Sequence, residues 1–459
     1  MIDTKALRSR ILDLAIQGKL TEQLESDGEA FDNNGRIKMR SDKNPFHIPD
    51  NWKWSTVSAV ISKDVGGGTP SKTVKEYWDG GTIPWMSVKD FSSAQNGVLY
   101  DTKDHITEAG LQNSTSNLID TDAIIICVRM GLGRIVKLRR PTAINQDLRA
   151  IWLSDCIDRD YFIYFYSTLR VEGHGMTVSG ISKKELMSFR LPLPPLPEQK
   201  RIVARVEEIF RLLDTIDAAQ EKYAADAESL KAKLITLGIQ GKLTKQLDSD
   251  GTAEELYQQI QAEKQRLIKE GKLKKEKPLP EITPDEIPFD IPENWKWVRL
   301  KDLVSILGDG IHGTPKYDET GEYYFINGNN LCNGQIVIKP NTRRINQEEY
   351  NKHKKELNNT TILISINGTL GNIAFYNSEK VILGKSACYM NLILEEMKAY
   401  LFYLFKTEYF LKYAHFTATG VTIKNVSLKA MNELPIPLPP LAEQKRIADK
   451  LNELLETLN

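Results

Sequence analysis

Cysteine is scarce: the 459 residues hold four, Cys127, Cys156, Cys332 and Cys388, widely scattered. No pair has metal-ligand spacing and a disulfide framework would need more, so a reducing, intracellular setting is expected. Long hydrophobic runs are missing as well. The longest, such as "AIIICV" at 123–128, are strand-sized and far below the roughly 20 residues of a membrane span. The opening "MIDTKALRSRILDL" carries acids and lacks the apolar block of a secretory signal, so a cytoplasmic location away from any membrane is predicted. Nor is there an excess of charge, with 61 basic and 61 acidic residues. That balance neither supports nor excludes nucleic acid, because a binder needs only a local basic face.

Catalytic motifs are absent too. "VILGKSA" at 381–387 contains a GKS triplet, but a phosphate loop needs glycine at position 379, which is Glu379. "KNPFHIP" at 43–49 is not the aromatic "NPPY/F" loop of adenine methyltransferases, and no glycine-rich methyl-donor motif accompanies it. No Gly-x-Ser-x-Gly elbow occurs, and the six histidines are dispersed without helical metal spacing. The chain is predicted to recognise rather than to catalyse, with no metal or cofactor of its own.

What is present is repetition. "PLPPLPEQKRI" at 192–202 returns as "PLPPLAEQKRI" at 437–447, and "IPDNWKW" at 48–54 returns as "IPENWKW" at 291–297. Between these frames the two interiors diverge. A second pair, "LRSRILDLAIQGKLTEQLESDG" at 7–28 and "LKAKLITLGIQGKLTKQLDSDG" at 230–251, follows a different offset. The C-terminal tail therefore copies the first part of the central segment, and the N-terminal segment copies its second part. The order of parts is circular, and the two chain ends together rebuild one spacer.

The spacer shows an unbroken 4-3 alternation: Ile202, Val206, Ile209, Leu213, Ile216, Gln220, Tyr223, Ala227, Leu230, Leu234, Leu237. This is the pattern of a coiled-coil seam. The tail continues it with Ile447, Leu451, Leu454 and Leu458. Pro197 and Glu198 suit a helix start, and Gly241, matched by Gly18, suits the stop. Expected, then, is an α+β fold: two pseudo-symmetric mixed α/β domains joined by long coiled-coil helices, antiparallel in the favoured packing. The predicted divisions are a helical segment at 1–30, a domain at 48–196, a central spacer at 197–275, a second domain at 291–440 and a spacer helix at 441–459. "PLPPLP" also fits a polyproline ligand for an SH3-like groove. Its place, ending a domain and feeding a heptad helix, favours a structural joint.

Together these parts resemble the specificity subunit of type I restriction-modification enzymes, over nearly the whole chain. The likeness rests on the "P-x-NW-x-W" starts, the "PLPPLxEQKRI" ends, the "IQGKL" segments and the circular order. It implies two target recognition domains, each reading one half of an interrupted, asymmetric site on double-stranded DNA. It also implies a spacer that docks two methyltransferase (modification) subunits, with motor-nuclease restriction subunits joining them. S-adenosylmethionine, ATP and magnesium would then belong to those partners. The competing reading is a coiled-coil scaffold or adaptor without sequence-specific DNA binding.

Side-chain chemistry nominates the DNA contacts, since arginine can bridge guanine O6 and N7 and both cations can hold phosphates. In the first domain these are Arg129, Arg134, Lys137, Arg139 and Arg140, from an acid-free stretch, with Lys72 and Lys183. In the second they are Arg343, Arg344, Lys352, Lys354 and Lys355, with Lys316 and Lys424. Asn327, Asn329 and Asn330 could pair adenine edges or simply form a turn. Thr177, Ser179 and Ser182 match Thr422, Lys424 and Ser427 at the repeat offset. The spacer and docking nominees are Ile202, Val206, Ile209, Leu213, Leu230, Leu234, Ile447, Leu451 and Leu454.

Overall fold

The computed structural model describes residues 1–33, 44–174, 180–275, 277–420 and 424–458. Thr177, Ser179 and Thr422 lie outside them. The chain divides into two units, Met1–Lys222 and Tyr223–Asn459.

The first unit opens with helix α1 (Thr4–Ile16), whose N-terminus is capped by the Asp3 carboxylate accepting from the Ala6 N–H at 2.9 Å. It stops at Gly18, which takes a left-handed φ of 69° while the Lys19 N–H bonds back to the Leu14 carbonyl at 3.0 Å. A Cβ there would lie 2.5 Å from Pro49 Cγ, so space as well as φ demands glycine. A five-stranded sheet orders Ile61–Gly66, Leu148–Leu153, Ile124–Cys127, Ile135–Leu138 and Val98–Leu99. The central "IIIC" strand is apolar throughout because both faces are covered. Ile124 and Ile126 join one core while Ile125 and Cys127 join another.

Over the first of these cores lies helix α2 (Arg159–Thr168), burying Tyr161, Phe162, Phe165 and Tyr166. A two-stranded ribbon pairs Lys53–Thr56 with Arg190–Leu193, Trp54 opposite Pro192. It leads into helix α3 (Leu196–Ile239), 44 residues or roughly 66 Å long. The boundary between the units falls inside α3.

In the second unit, helix α4 (Ala253–Lys269) buries Ala253, Leu256 and Ile260. A four-stranded sheet orders Val304–Asp309, Ala387–Leu392, Thr361–Ser365 and Ile373–Phe375. A three-stranded sheet orders Arg344–Ile345, Tyr323–Ile326 and Val381–Leu383. Helix α5 (Lys398–Leu404) takes the place of α2, and the ribbon recurs as Lys296–Arg299 with Pro435–Leu438, Trp297 opposite Pro437. Helix α6 (Leu441–Glu456) closes the unit. Among the described residues no helix is long and apolar enough to cross a membrane, and no group of three or more His, Cys, Asp or Glu is placed to hold a metal.

The helices pack antiparallel inside each unit. Along α1 and the first half of α3, Thr4 Oγ1 meets Asp217 at 2.5 Å and Arg8 meets Asp214 at 2.8 Å, so one number rises as the other falls. In the second unit Gly238 faces Ile447 and Leu451, while Thr244 bonds Glu443 at 3.1 Å. The seam corrects the sequence expectation. Ile202, Val206 and Leu213 are buried as the alternation predicts, but Tyr223 is 64% exposed and Leu230 44%. In the last turns Ile235, Gly238 and Ile239 are buried instead, and Leu237 is exposed. An α-helix drifts about 20° per strict heptad, so over five heptads the alternation rotates off any fixed neighbour by about 100°.

Candidate nucleic-acid interface

Each unit is pinned at a joint that explains the repeated phrases. Glu198, in the first turn of α3, is wholly buried. Its Oε2 accepts from Trp52 Nε1 at 2.8 Å, and its Oε1 from Gln23 Nε2 at 2.9 Å and Thr21 Oγ1 at 3.3 Å. Glu443 repeats the set with Trp295 at 2.8 Å, Gln246 at 2.8 Å and Thr244 at 3.1 Å. Arg201 grips Asp27 through both guanidinium nitrogens at 2.7 and 2.5 Å, as Arg446 grips Asp250 at 2.8 and 2.6 Å. These arginines hold the Asp27 and Asp250 carboxyls below the usual range. Tyr161 donates to the Pro192 carbonyl and Tyr400 to the Pro437 carbonyl, both at 2.6 Å.

Apart from the exposed Pro197, the prolines of both phrases are buried in this assembly, which removes the free polyproline-ligand reading. Ile202, Val206, Ile447 and Leu451 are fully buried in the cores and Leu213 nearly so. They fasten helices within their own unit and cannot face a partner. Ile209, Leu234 and Leu454 are half-buried, and Leu230 is open.

The nominated cations scatter more than their sequence suggests. Arg129 and Arg134 occupy the turn joining Ile124–Cys127 to Ile135–Leu138, whereas Arg139 and Arg140 follow the second strand. The pairs therefore sit at opposite ends of a four-residue hairpin, roughly 13 Å apart. Lys137 faces Asp160 of α2 at 2.6 Å, Arg140 lies 3.4 Å from Asp101 and Arg129 3.6 Å from Asp147. Lys183 reaches Asp64 at 2.8 Å, and Asp64 also pairs with Arg149. Lys72 is exposed in the turn after Gly66. Arg129 and His174 both bridge to Gly180.

In the second unit Asn367 and Thr419 both bridge to Asn425. Asn330 is buried, its amide donating to the Val337 carbonyl at 2.9 Å and Thr342 Oγ1 at 3.1 Å. Asn327 Oδ1 accepts from Ser386 at 3.1 Å. Asn330 is spent on the turn, a correction to its nomination, Asn327 is half-buried with its Oδ1 engaged, and Asn329 alone of the three is exposed. Arg343 lies over the Tyr317 ring at 5.5 Å and Arg344 over Tyr324 at 5.2 Å. Lys352 sits 3.6 Å from Glu349, while Lys316, Lys354 and Lys424 are exposed and Lys355 is half-buried. The sequence reading missed Asn367 and Asn425, whose side chains bond at 2.9 Å, and the cations Lys339, Lys385 and Lys406. The GKS triplet had marked Lys385, and it stands exposed on the loop beside Asn327.

Comparison with known proteins gives a consistent finding. The model of the type I restriction modification DNA specificity domain matches residues 49–222 and 292–459. The type I restriction enzyme EcoAI specificity subunit of Escherichia coli is 25% identical, over 99% of this chain and 89% of its own. The EcoR124I/EcoR124II specificity subunit of the same organism is 33% identical over 36% of this chain and 42% of its own. A chain from a solved type I R-M system superposes over 90% of this chain and 92% of its own, with a TM-score of 0.59 at 18% identity, a likeness of fold.

Proposed function

The chain belongs to the type I restriction modification DNA specificity family, with two copies of its domain, and from that premise we propose that each unit reads one half of a bipartite, asymmetric site on double-stranded DNA. The chain itself carries out no chemistry in this reading. Helix α3, with α1 and α6, fixes the spacing of the readers and docks two methyltransferase subunits, to which motor-nuclease subunits add. S-adenosylmethionine, ATP and magnesium act on those partners, and the complex works in the cytoplasm.

One observation carries the reading. The Glu–Trp–Gln and Arg–Asp contacts of the joint recur in both units, while the loops beyond the sheets differ in sequence and in where they carry charge. A constant frame with variable loops is what two readers of unlike half-sites require. Docking falls to exposed positions at the joints, among them Leu24 and Leu247, 41% and 43% exposed at equivalent places. The test is selection from a random duplex library at near-physiological salt, because phosphate contacts alone dominate when salt is low. The chain is used together with its methyltransferase subunit. Two short unlike blocks with a fixed unread gap are expected; a featureless pool from a folded complex would leave a scaffold.

A further inference from the structure

Each unit holds a cleft at the same place in its fold, of about 420 Å³ in the first and about 360 Å³ in the second. Both lie beside a glycine turn, Gly133 with φ 82° and Gly371 with φ 84°. One wall of each follows a short 3-10 turn, where Ser92 stands in the first unit and Cys332 in the second. The opposite wall is the end of α2, at Ser167, or the turn after α5, at Lys406.

The charge moves from wall to wall. In the first cleft the turn supplies Arg134 and the helix wall only Ser167. In the second the turn supplies Asn372, neutral, and the helix wall supplies Lys406. The residue on the turn keeps its local role: Arg134 donates to the Val88 carbonyl at 3.4 Å, and Asn372 to the equivalent Gly328 carbonyl at 3.1 Å. What the second unit gave up there, the positive charge, it regains across the gap, and Lys339 adds another at the rim.

No acid lines either cleft. Among the described residues neither Arg134, Lys339 nor Lys406 has a carboxylate within 4 Å, unlike Arg129, Lys137 and Lys183. By contrast, the groove at the first joint is lined by Glu22 and Glu208, and one beside α4 by Asp248, Glu255 and Glu293. Lys406 lies 4.3 Å over the Phe402 ring and bonds only the neutral Asn333 side chain, at 3.2 Å. Desolvation there pulls its ammonium below the usual lysine range, so an arriving anion would find a poorly compensated cation.

We propose that these two clefts are equivalent seats for a DNA backbone phosphate, held by Arg134 in the first unit and by Lys406 in the second. Two copies whose reading loops have drifted apart keep one unpaired cation over the same cleft while changing the wall that carries it. Backbone contacts fix the register of a reader without reading sequence, which suits a feature shared by two readers of different bases.

This inference rests on the recognition reading, and the experiment separates the two. Binding of the chain with its methyltransferase subunits to a duplex bearing the selected motif is measured across salt concentrations. Each phosphate contact contributes about −0.9 to the slope of log affinity against log salt. Lys406→Gln and Arg134→Gln should each flatten the slope by about that amount. Affinity should fall equally for selected and scrambled duplexes, with the selected motif unchanged. The double variant Lys406→Ser with Asn372→Arg, which rebuilds the first cleft in the second unit, should restore the slope. Cys332, alone exposed among the four cysteines, serves as an independent reporter in the otherwise unaltered protein. Bound duplex should slow its alkylation by iodoacetamide. A motif selected by the unaltered protein, together with unchanged slopes and unprotected Cys332, would overturn the phosphate seats alone. A featureless selection overturns the recognition reading and the seats with it.

Discussion

Replacing Glu198 by glutamine keeps the volume of the joint and removes its charge. The carboxylate sits wholly buried at the N-terminus of α3 and receives three donors, Trp52 Nε1, Gln23 Nε2 and Thr21 Oγ1. An amide offers one acceptor oxygen where two were needed, so its own NH2 must face a donor. One buried donor left unpaired costs about 1–3 kcal/mol. The remaining bonds lose their charge assistance, about 1 kcal/mol more, and the positive end of the helix loses its anion, up to about 2 kcal/mol in a buried setting. The sum is about 2–6 kcal/mol, and at about 2–4 °C per kcal/mol for a unit of this size the melting point should fall by about 10 °C. Because Glu443 repeats every partner, Glu443→Gln should lower the melting of the second unit by a similar amount. With no partners in common, the two changes should combine additively. Differential scanning calorimetry of both single variants and the double variant reads this directly. A fall under about 2 °C in either single variant would refute the assignment of the carboxylate as the centre of its joint.

Ile239→Asp puts a charge into the core of the second unit, where Ile239 is 1% exposed, and should leave that unit unfolded by circular dichroism. Leu230→Asp, on the open face of α3, should move the melting point by less than about 2 °C, since such surface changes stay within about 0.5 kcal/mol. Gly241→Ala must hold a φ of 71° and bring its Cβ 3.1 Å from Trp295 Cζ2. It should cost about 2–4 kcal/mol from left-handed strain and overpacking, seen as a lower urea midpoint at constant m. Hydrogen bonding from Arg299 pushes the Glu286 carboxyl from an ordinary 4.5 down to about 2. A depressed acid stabilises fully above its unfolded pKa and loses that contribution as pH falls through the folded one. Stability should therefore drop between about pH 4.5 and 2, and Glu286→Gln should flatten that limb of an acid-unfolding curve.

Much of the frame was legible because it is written twice. Gly18 and Gly241 announced helix ends, and the repeated prolines marked a joint. The seam misled from Tyr223 onward, Ala227 excepted, because letters recur every seven residues while an α-helix turns every 3.6, and only the packed neighbour shows which face it meets. Interfaces failed in a similar way. Composition revealed a basic stretch at 127–140 but not that a hairpin would send its arginines to opposite ends, nor that Asp160 would balance Lys137. Asn327 and Asn330 read equally as base-pairing or turn-forming until Ser386, Val337 and Thr342 were seen to occupy them. Lys406 carried no sequence signal at all, since its counterpart across the repeat is Ser167.

The duplicated joint also has a genetic consequence. A crossover between the two coding copies of the repeated phrase, with Pro437 joined where Pro192 stood, would delete one reader and the whole of α3, leaving α6 in its place. Yet it would bring Glu443, Arg446 and Ile447 onto Thr21, Gln23, Trp52 and Asp27, the partners that Glu198, Arg201 and Ile202 hold now. The shortened gene would still encode the joint of one unit, because its Glu, Arg and Ile arrive with the incoming phrase, although Asp214 and Asp217, which hold α1, would be lost. An exchange at the phrase thus changes what lies between two joints while leaving the lock itself the same.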